Sequence, residues 1–191
     1  MGKVIEGHHD LEAIRRLCIG QLARGIQQKN HPFREVAMST AADIPNIRMV
    51  VLRKLEQTPL SILVYTDSRS DKIAELKANP HATFLFWHST SKFQLKLKTK
   101  VVTHHKDKIA IEHYKAIGER GRESYNTEQD PGSAIDAEKA PETLLKEKFD
   151  DREFCVLECI VFEMEALQLR REGHIRALFS LESGEQNFIV P

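Results

Sequence analysis

Hydrophobic positions recur along this chain in two periods, and the switches between them mark its elements. From residue 10 to 29, Leu11, Ile14, Leu17, Cys18, Leu22 and Ile26 share one face at a period near 3.6, which predicts an amphipathic helix. Asp10 stands where an N-cap belongs, Arg15, Arg16, Arg24 and Gln27 take the wet side, and His31-Pro32 ends the run. The period then falls to two. Phe33 to Thr40, Asn46 to Lys54 and Leu60 to Thr66 read as strands, broken by Ala42-Asp43-Ile44-Pro45 and by Gln57-Thr58-Pro59. Short links between successive strands predict antiparallel pairing.

Ser70 to Ala78 predicts a short helix, with Ser70 as cap, Asp71 in the first turn and Asn79-Pro80 as the stop. His81 to Trp87 and Lys92 to Thr103 follow as strands. The second alternates Phe93, Leu95 and Leu97 against Gln94, Lys96 and Lys98, so one face is wet or meets a ligand. Asp107 to Ile117 predicts a helix with Ile109, Ala110, His113 and Tyr114 inward. Gly118 to Pro141 is a long polar segment, either a functional loop or disordered. Thr143 to Phe149 reads as helical. Phe154 to Met164, Ala166 to Arg171, Ile175 to Leu181 and Asn187 to Val190 complete the strands. About eight short strands with few helices predict a mostly β fold, a small barrel with peripheral helices.

Composition narrows the partners. The 191 residues suit one domain spanning 1–191, and a net charge of zero gives no field toward nucleic acid or membrane. No apolar run approaches the roughly 20 residues of a membrane helix, and the first ten residues lack a signal-peptide core, which predicts a cytoplasmic protein. The 3 cysteines, Cys18, Cys155 and Cys159, read as buried thiols of a reducing compartment, with no further ligands at zinc spacing.

Two short stretches carry candidate chemistry. Arg48 heads an apolar strand, either as half of a rim salt bridge or as a planar fork aimed at phosphate. Tyr65-Thr66-Asp67-Ser68-Arg69-Ser70-Asp71-Lys72 joins hydroxyls and two cations to a helix start, where free backbone N–H groups favour an anion. It is not a glycine-rich phosphate loop, and an ordinary capped turn is the alternative. No Ser-His-Asp or Cys-His arrangement is evident. His8, His9, His104 and His105 read as solvated, while His88 beside Trp87 is a candidate to approach a ligand.

The order and spacing of Pro45-Asn-Ile-Arg-Met-Val-Val-Leu-Arg53, Tyr65-Thr-Asp67, Ser70-Asp-Lys72, Asn79-Pro80, Phe86-Trp-His88, Gln94, His174-Ile-Arg176 and Ile189-Val-Pro191 resemble the pyridoxamine 5'-phosphate oxidase-related, FMN-binding split-barrel family. The resemblance implies a split β-barrel that binds FMN at a homodimer interface. It implies that Arg48 and Lys72 grip the FMN phosphate, that Met49, Val50, Val51 and Leu52 run along the flavin, and that Thr66, with Tyr65 beside it, touches it. Gln94 would bond the cofactor, and Arg176 would approach across the dimer interface. For the substrate, a small molecule of the phosphorylated-pyridine class, it implies Arg53, Arg120, Ser124 and His174, the last as a titrating group.

The chain also departs from the oxidase pattern. Asp71 replaces an Arg before Lys72, so Arg69 and Ser70 are expected to supply the missing contacts. Phe93 replaces an Arg, Leu169 an aromatic residue, and Glu172 the first Arg of the Arg-Leu-His-Asp-Arg ending. These changes predict a divergent branch of the family and leave its substrate open. The implied activity is an FMN-dependent oxidoreductase, with a non-catalytic flavin-binding or ligand-sensing protein as the alternative. A barrel without flavin would leave the cations of Arg48 and Lys72 unexplained.

Overall fold

The computed structural model describes residues 2–41, 44–135 and 144–191. The predicted Ala42-Asp43 part of the first turn, Thr143 and the end of the 118–141 segment lie outside the described residues. The elements in chain order are α1 (Leu11–Gln27), β1 (Glu35–Thr40), β2 (Asn46–Gln57), β3 (Leu60–Asp67), α2 (Asp71–Ala78), β4 (His81–His88), β5 (Phe93–His105), α3 (Lys108–Ala116), α4 (Glu119–Glu123), β6 (Phe154–Gln168), β7 (Ile175–Ser180) and β8 (Gln186–Phe188).

All described strand pairs are antiparallel. The order β3-β2-β1-β4-β5-β6, with β6 returning to β3, closes a six-stranded ring, and β7 and β8 extend it. β6 makes both the closure and the split. Its first half pairs with β3, from Phe154 with Asp67 to Ile160 with Ser61. Its second half, Glu163 to Gln168, pairs instead with β7. Closure removes the free edges that a sheet of this size would otherwise expose. The mostly β split barrel expected from the sequence is the fold observed.

The interior follows the alternation. Phe93, Leu95 and Leu97 of β5 face Phe84 and Phe86 of β4 within the barrel, and all five are fully buried. Phe33 packs its ring on Phe86 at 4.9 Å and on Phe93 at 5.9 Å. Each such ring removed from water contributes about 1.5–3 kcal/mol. α1 lays Ile14, Cys18 and Leu22 on this core, and Asp10 caps it by accepting from the Ala13 N–H at 2.7 Å. Gly25 lets the helix approach, since a Cβ there would stand 2.8 Å from the Phe33 carbonyl oxygen. Cys155 and Cys159 are buried in β6, and the three cysteines are free thiols.

Three expectations require correction. Phe154 to Met164 and Ala166 onward form one strand, β6, which ends at Gln168, with Glu165 in register between Lys96 and Leu178. Residues 144–149 form no α-helix; Leu145 instead bridges Thr127. Ile109 is exposed, since α3 turns Ala110 and Tyr114 inward. No described helix is long and apolar enough to cross a membrane.

Candidate functional site

β2 and β3 diverge at a bulge between Leu52 and Lys54, and α2 begins immediately after β3. The gap they leave is a cleft of about 310 Å³ lined by Arg48, Met49, Val50, Val51 and Arg53 from β2, Tyr65, Thr66, Asp67, Ser70 and Lys72 from β3 and α2, and Ser124, Tyr125 and Pro131.

At the floor, Lys72 Nζ donates to Thr66 Oγ1 at 2.9 Å and to Ser70 Oγ at 3.0 Å. Ser70 Oγ itself donates to the Asp67 carbonyl, so no side chain caps the first turn of α2. That turn presents its dipole and backbone N–H groups beside the Lys72 ammonium and the Thr66 hydroxyl, donors suited to an anion. Arg48 lies close by. Burial first, and then the Arg48 charge, lower the Lys72 pKa. Two cations that repel one another in a partly buried cleft are each stabilised by an anion between them.

Arg48 is oriented by acceptors behind it. Its Nη2 donates to Glu75 Oε2 at 2.8 Å and its Nη1 to Thr40 Oγ1. Glu75, on α2, also accepts from Thr40 and from Asn46. Burial alone would raise the Glu75 pKa, yet the hydrogen bonds from Thr40, Asn46 and Arg48 lower it. The carboxylate therefore remains ionised behind the guanidinium. Glu75 and Thr40, which hold Arg48 in place, are not singled out by the sequence. Glu75 follows Lys72 by three, a spacing that reads equally well as solvated helix surface.

Arg69 does not supply charge to the cleft. Its fork closes on Asp67, Nε to Oδ1 at 2.9 Å and Nη2 to Oδ2 at 2.7 Å, with Glu153 and Asp130 nearby. Asp67 is nearly inaccessible and lines the cleft, so its local cation is the one that neutralises it. The sequence expectation for Arg69 fails because that nearer carboxylate takes the guanidinium. Asp71 is exposed and is not part of the lining.

On the flavin side of the expectation, Met49, Val50 and Val51 line the cleft. Leu52 turns its side chain into the core, and only its backbone borders the cleft residues. Arg53 lies 5.5 Å over the Tyr65 ring with its Nε buried and unpartnered among the described residues. Tyr65 Oη is 2.7 Å from His113 Nδ1 on α3. Ser124 lines the cleft, whereas Arg120 is exposed on α4 and is not part of the lining.

Gln94 and Arg176 lie apart from this cleft, on the outer face of the sheet. Leu167 stands between them in register, opposite both. Arg176 donates to Glu165 from Nε at 2.9 Å, and Lys96 pairs with the same carboxylate. Around them the face carries Ile47, Met49, Leu85 and Trp87, exposed by 67%, 64%, 40% and 41%. His174 lines a separate groove with His9, Arg170, Glu172 and Arg176, and its Nδ1 accepts from the Arg170 N–H at 3.1 Å. Among the described residues no group of three or more His, Cys, Asp or Glu is placed to hold a metal.

Comparison with known proteins bears out the resemblance. Residues 19–105 match the family described as pyridoxamine 5'-phosphate oxidase, FMN-binding domain, a span that includes β1 to β5 and most of the cleft. No curated protein matches the chain. Among solved structures, a pyridoxamine 5'-phosphate oxidase-related, FMN-binding protein from Nostoc punctiforme superposes with a TM-score of 0.74 at 18% identity, over 92% of this chain and 97% of its own. PhzG from Burkholderia lata, solved with tetrahydrophenazine-1-carboxylic acid, gives 0.73 at 16% identity, over 96% and 95%. These likenesses establish the fold of the chain as that of the FMN-binding split barrels.

Proposed function

We propose that this protein is an FMN-dependent oxidoreductase acting on a small organic molecule, with the cofactor phosphate held in the β2–β3–α2 cleft. The observation that carries the reading is the meeting of Arg48, Lys72, Thr66, Ser70 and the uncapped start of α2 at one partly buried place. A phosphate monoester carries up to two negative charges and three acceptor oxygens. Lys72 would supply the charge, Arg48 the N–H groups of a guanidinium whose charge Glu75 already balances, and Thr66 and the α2 N–H groups the remaining donors. Val50 and Val51 would offer apolar backing to a planar ring, and Arg53 an Nε donor without a partner among the described residues. When bound, the flavin supplies the two-electron chemistry, and the protein supplies orientation and electrostatics.

A second copy of the chain completes this reading. Gln94 and Arg176 are distant from the cleft of their own protomer, and both border an exposed apolar face. A homodimer formed on that face would bring them to the partner's cofactor. The three buried free thiols fit a reducing compartment such as the cytoplasm.

Purified protein incubated with FMN should quench the cofactor's fluorescence stoichiometrically and turn yellow. A protein that stays colourless and quenches nothing overturns the reading. A specific observation favours the alternative, a flavin-binding protein without vitamin oxidase activity. Glu172 stands where the oxidases place a substrate-binding Arg, and it pairs with Lys3 at 3.2 Å. Rapid turnover of pyridoxamine 5'-phosphate by the FMN-loaded protein would remove that alternative.

A further inference from the structure

A second cavity, of about 410 Å³, lies between α1, the N-terminal segment and the β4–β5 turn, and shares no lining residue with the β2–β3–α2 cleft. Its walls include Arg24, His31, His88, Ser91, Gln21 and Leu17. The volume lies within the roughly 300–1,000 Å³ typical of small-molecule sites. The cavity is built rather than incidental. Gln168 straps the N-terminal segment over it, accepting from the Val4 and Ile5 N–H groups at 3.0 and 3.1 Å and donating to the Ser91 carbonyl at 2.7 Å.

The lining is one-sided in its charge. No lining residue is acidic. His31 Nδ1 accepts from the Phe33 N–H at 3.1 Å, and His88 Nδ1 accepts from the Ser91 N–H at 3.3 Å. With Nδ1 occupied as an acceptor, each neutral ring carries its proton on Nε2 and has only a donor left to offer. Arg24 makes no ion pair among the described residues, whereas Lys3, at the rim, is already paired with Glu172. Ser91 is only 6% exposed, and its hydroxyl has no partner among the described residues. Gln21 is similarly buried, at 5%. A buried hydroxyl without a partner loses stabilisation that an occupant with an acceptor would restore.

We infer that this cavity binds a small organic monocarboxylate. One unpaired guanidinium matches one negative charge. The imidazole N–H groups and the Ser91 hydroxyl match the carboxylate oxygens, and Val4 and Leu17 match a hydrocarbon body. The neutral form of His31 is the one that fits, because an imidazolium would set a second N–H against the Phe33 N–H that Nδ1 already accepts. Burial, then His88 and Arg24, lower the His31 pKa, in accord with that geometry.

Benzoate is the probe, titrated into the full-length protein saturated with FMN. Calorimetry gives the affinity, and the ring nitrogen resonances of His31 and His88 locate the site. The expected result is saturable binding that shifts the ring resonances of both. Arg24→Gln should weaken it by about ten- to a hundredfold, the loss of a charge-assisted hydrogen bond. Leu17→Glu, which sets a carboxylate in the cavity, should abolish it. Lys72→Met should leave it unchanged whether or not FMN still binds, so the result stands apart from that of the cofactor cleft. Benzoate at tens of millimolar that leaves both rings unmoved overturns the assignment. So does unchanged affinity in both Arg24→Gln and Leu17→Glu, or tighter binding of inorganic phosphate than of benzoate.

Discussion

The Arg48 guanidinium on β2 and the Glu75 carboxylate on α2 stand 2.8 Å apart, each with less than a fifth of its side chain exposed. The pair ties the rim of the barrel to the helix whose first turn carries Lys72, so the position of one cleft cation depends on the position of the other. Glu75→Gln keeps the shape and removes the charge. It should cost about 1–3 kcal/mol of stability at neutral pH, less than a fully buried pair because water still reaches both partners. The Glu75 pKa is lowered on folding, so its contribution is present above the ordinary carboxylate value of 4.5 and is lost as pH falls below it. Melting curves of the two proteins should differ at pH 7 and converge in acid. A gap that persists unchanged in acid would assign the effect to packing instead.

The phosphate is the part of the proposed cofactor that the cleft floor addresses, which separates two ligands sharing one ring system. Lys72→Met should lower FMN affinity by about ten- to a hundredfold, the scale of a lost charge-assisted hydrogen bond. Riboflavin, which lacks the phosphate, should bind both proteins alike. Fluorescence titrations with the two flavins decide the matter. An equal loss for both would place Lys72 against the ring rather than the phosphate.

The barrel was legible in the sequence because its strands obey a two-residue period, and β5 shows it from Phe93 to Leu97. Arg48, Thr66, Ser70 and Lys72 could be read together as candidates because they lie in two compact stretches, and folding lines one cleft with them. Partner choice was not legible. Arg69 has the right charge and position for an anion, but β3 ends on Asp67 two residues before it, within reach of its guanidinium. Glu75 looked like helix surface until folding set Thr40, Asn46 and Arg48 around it. The N–H groups that His31 and His88 turn to their cavity depend on which ring nitrogen a backbone N–H reaches, and no spacing encodes that.

Tyr65 joins the cleft to α3 through His113, at 2.7 Å. Burial first, with Lys54 nearby, lowers the His113 pKa from its ordinary 6.5. The unfolded chain therefore takes up this proton before the folded one does. Stability should decline as pH falls below 6.5, until the folded value is passed. His113→Gln removes the titration, so its stability should vary less with pH across that window. Denaturant unfolding of both proteins at a series of pH values measures the difference. Parallel curves would show that His113 is not a source of the slope.

The outer-face position of Gln94 and Arg176 makes a prediction that a self-sufficient monomer cannot meet. If each cofactor site takes Lys72 from one protomer and Arg176 from its partner, Lys72→Met and Arg176→Gln homodimers each carry two defective sites. In a mixed dimer both defects fall in one site, and the other is intact. Random exchange gives heterodimers in about half of the population, so about a quarter of all sites should recover full FMN affinity. Separately purified variants, unfolded together and refolded, should regain that fraction of tight sites by fluorescence titration. Trp87→Asp should block the recovery by setting a charge on the apolar face, with a fall in sedimenting mass. A mixture that merely averages the two variants would place both residues in sites built from single chains.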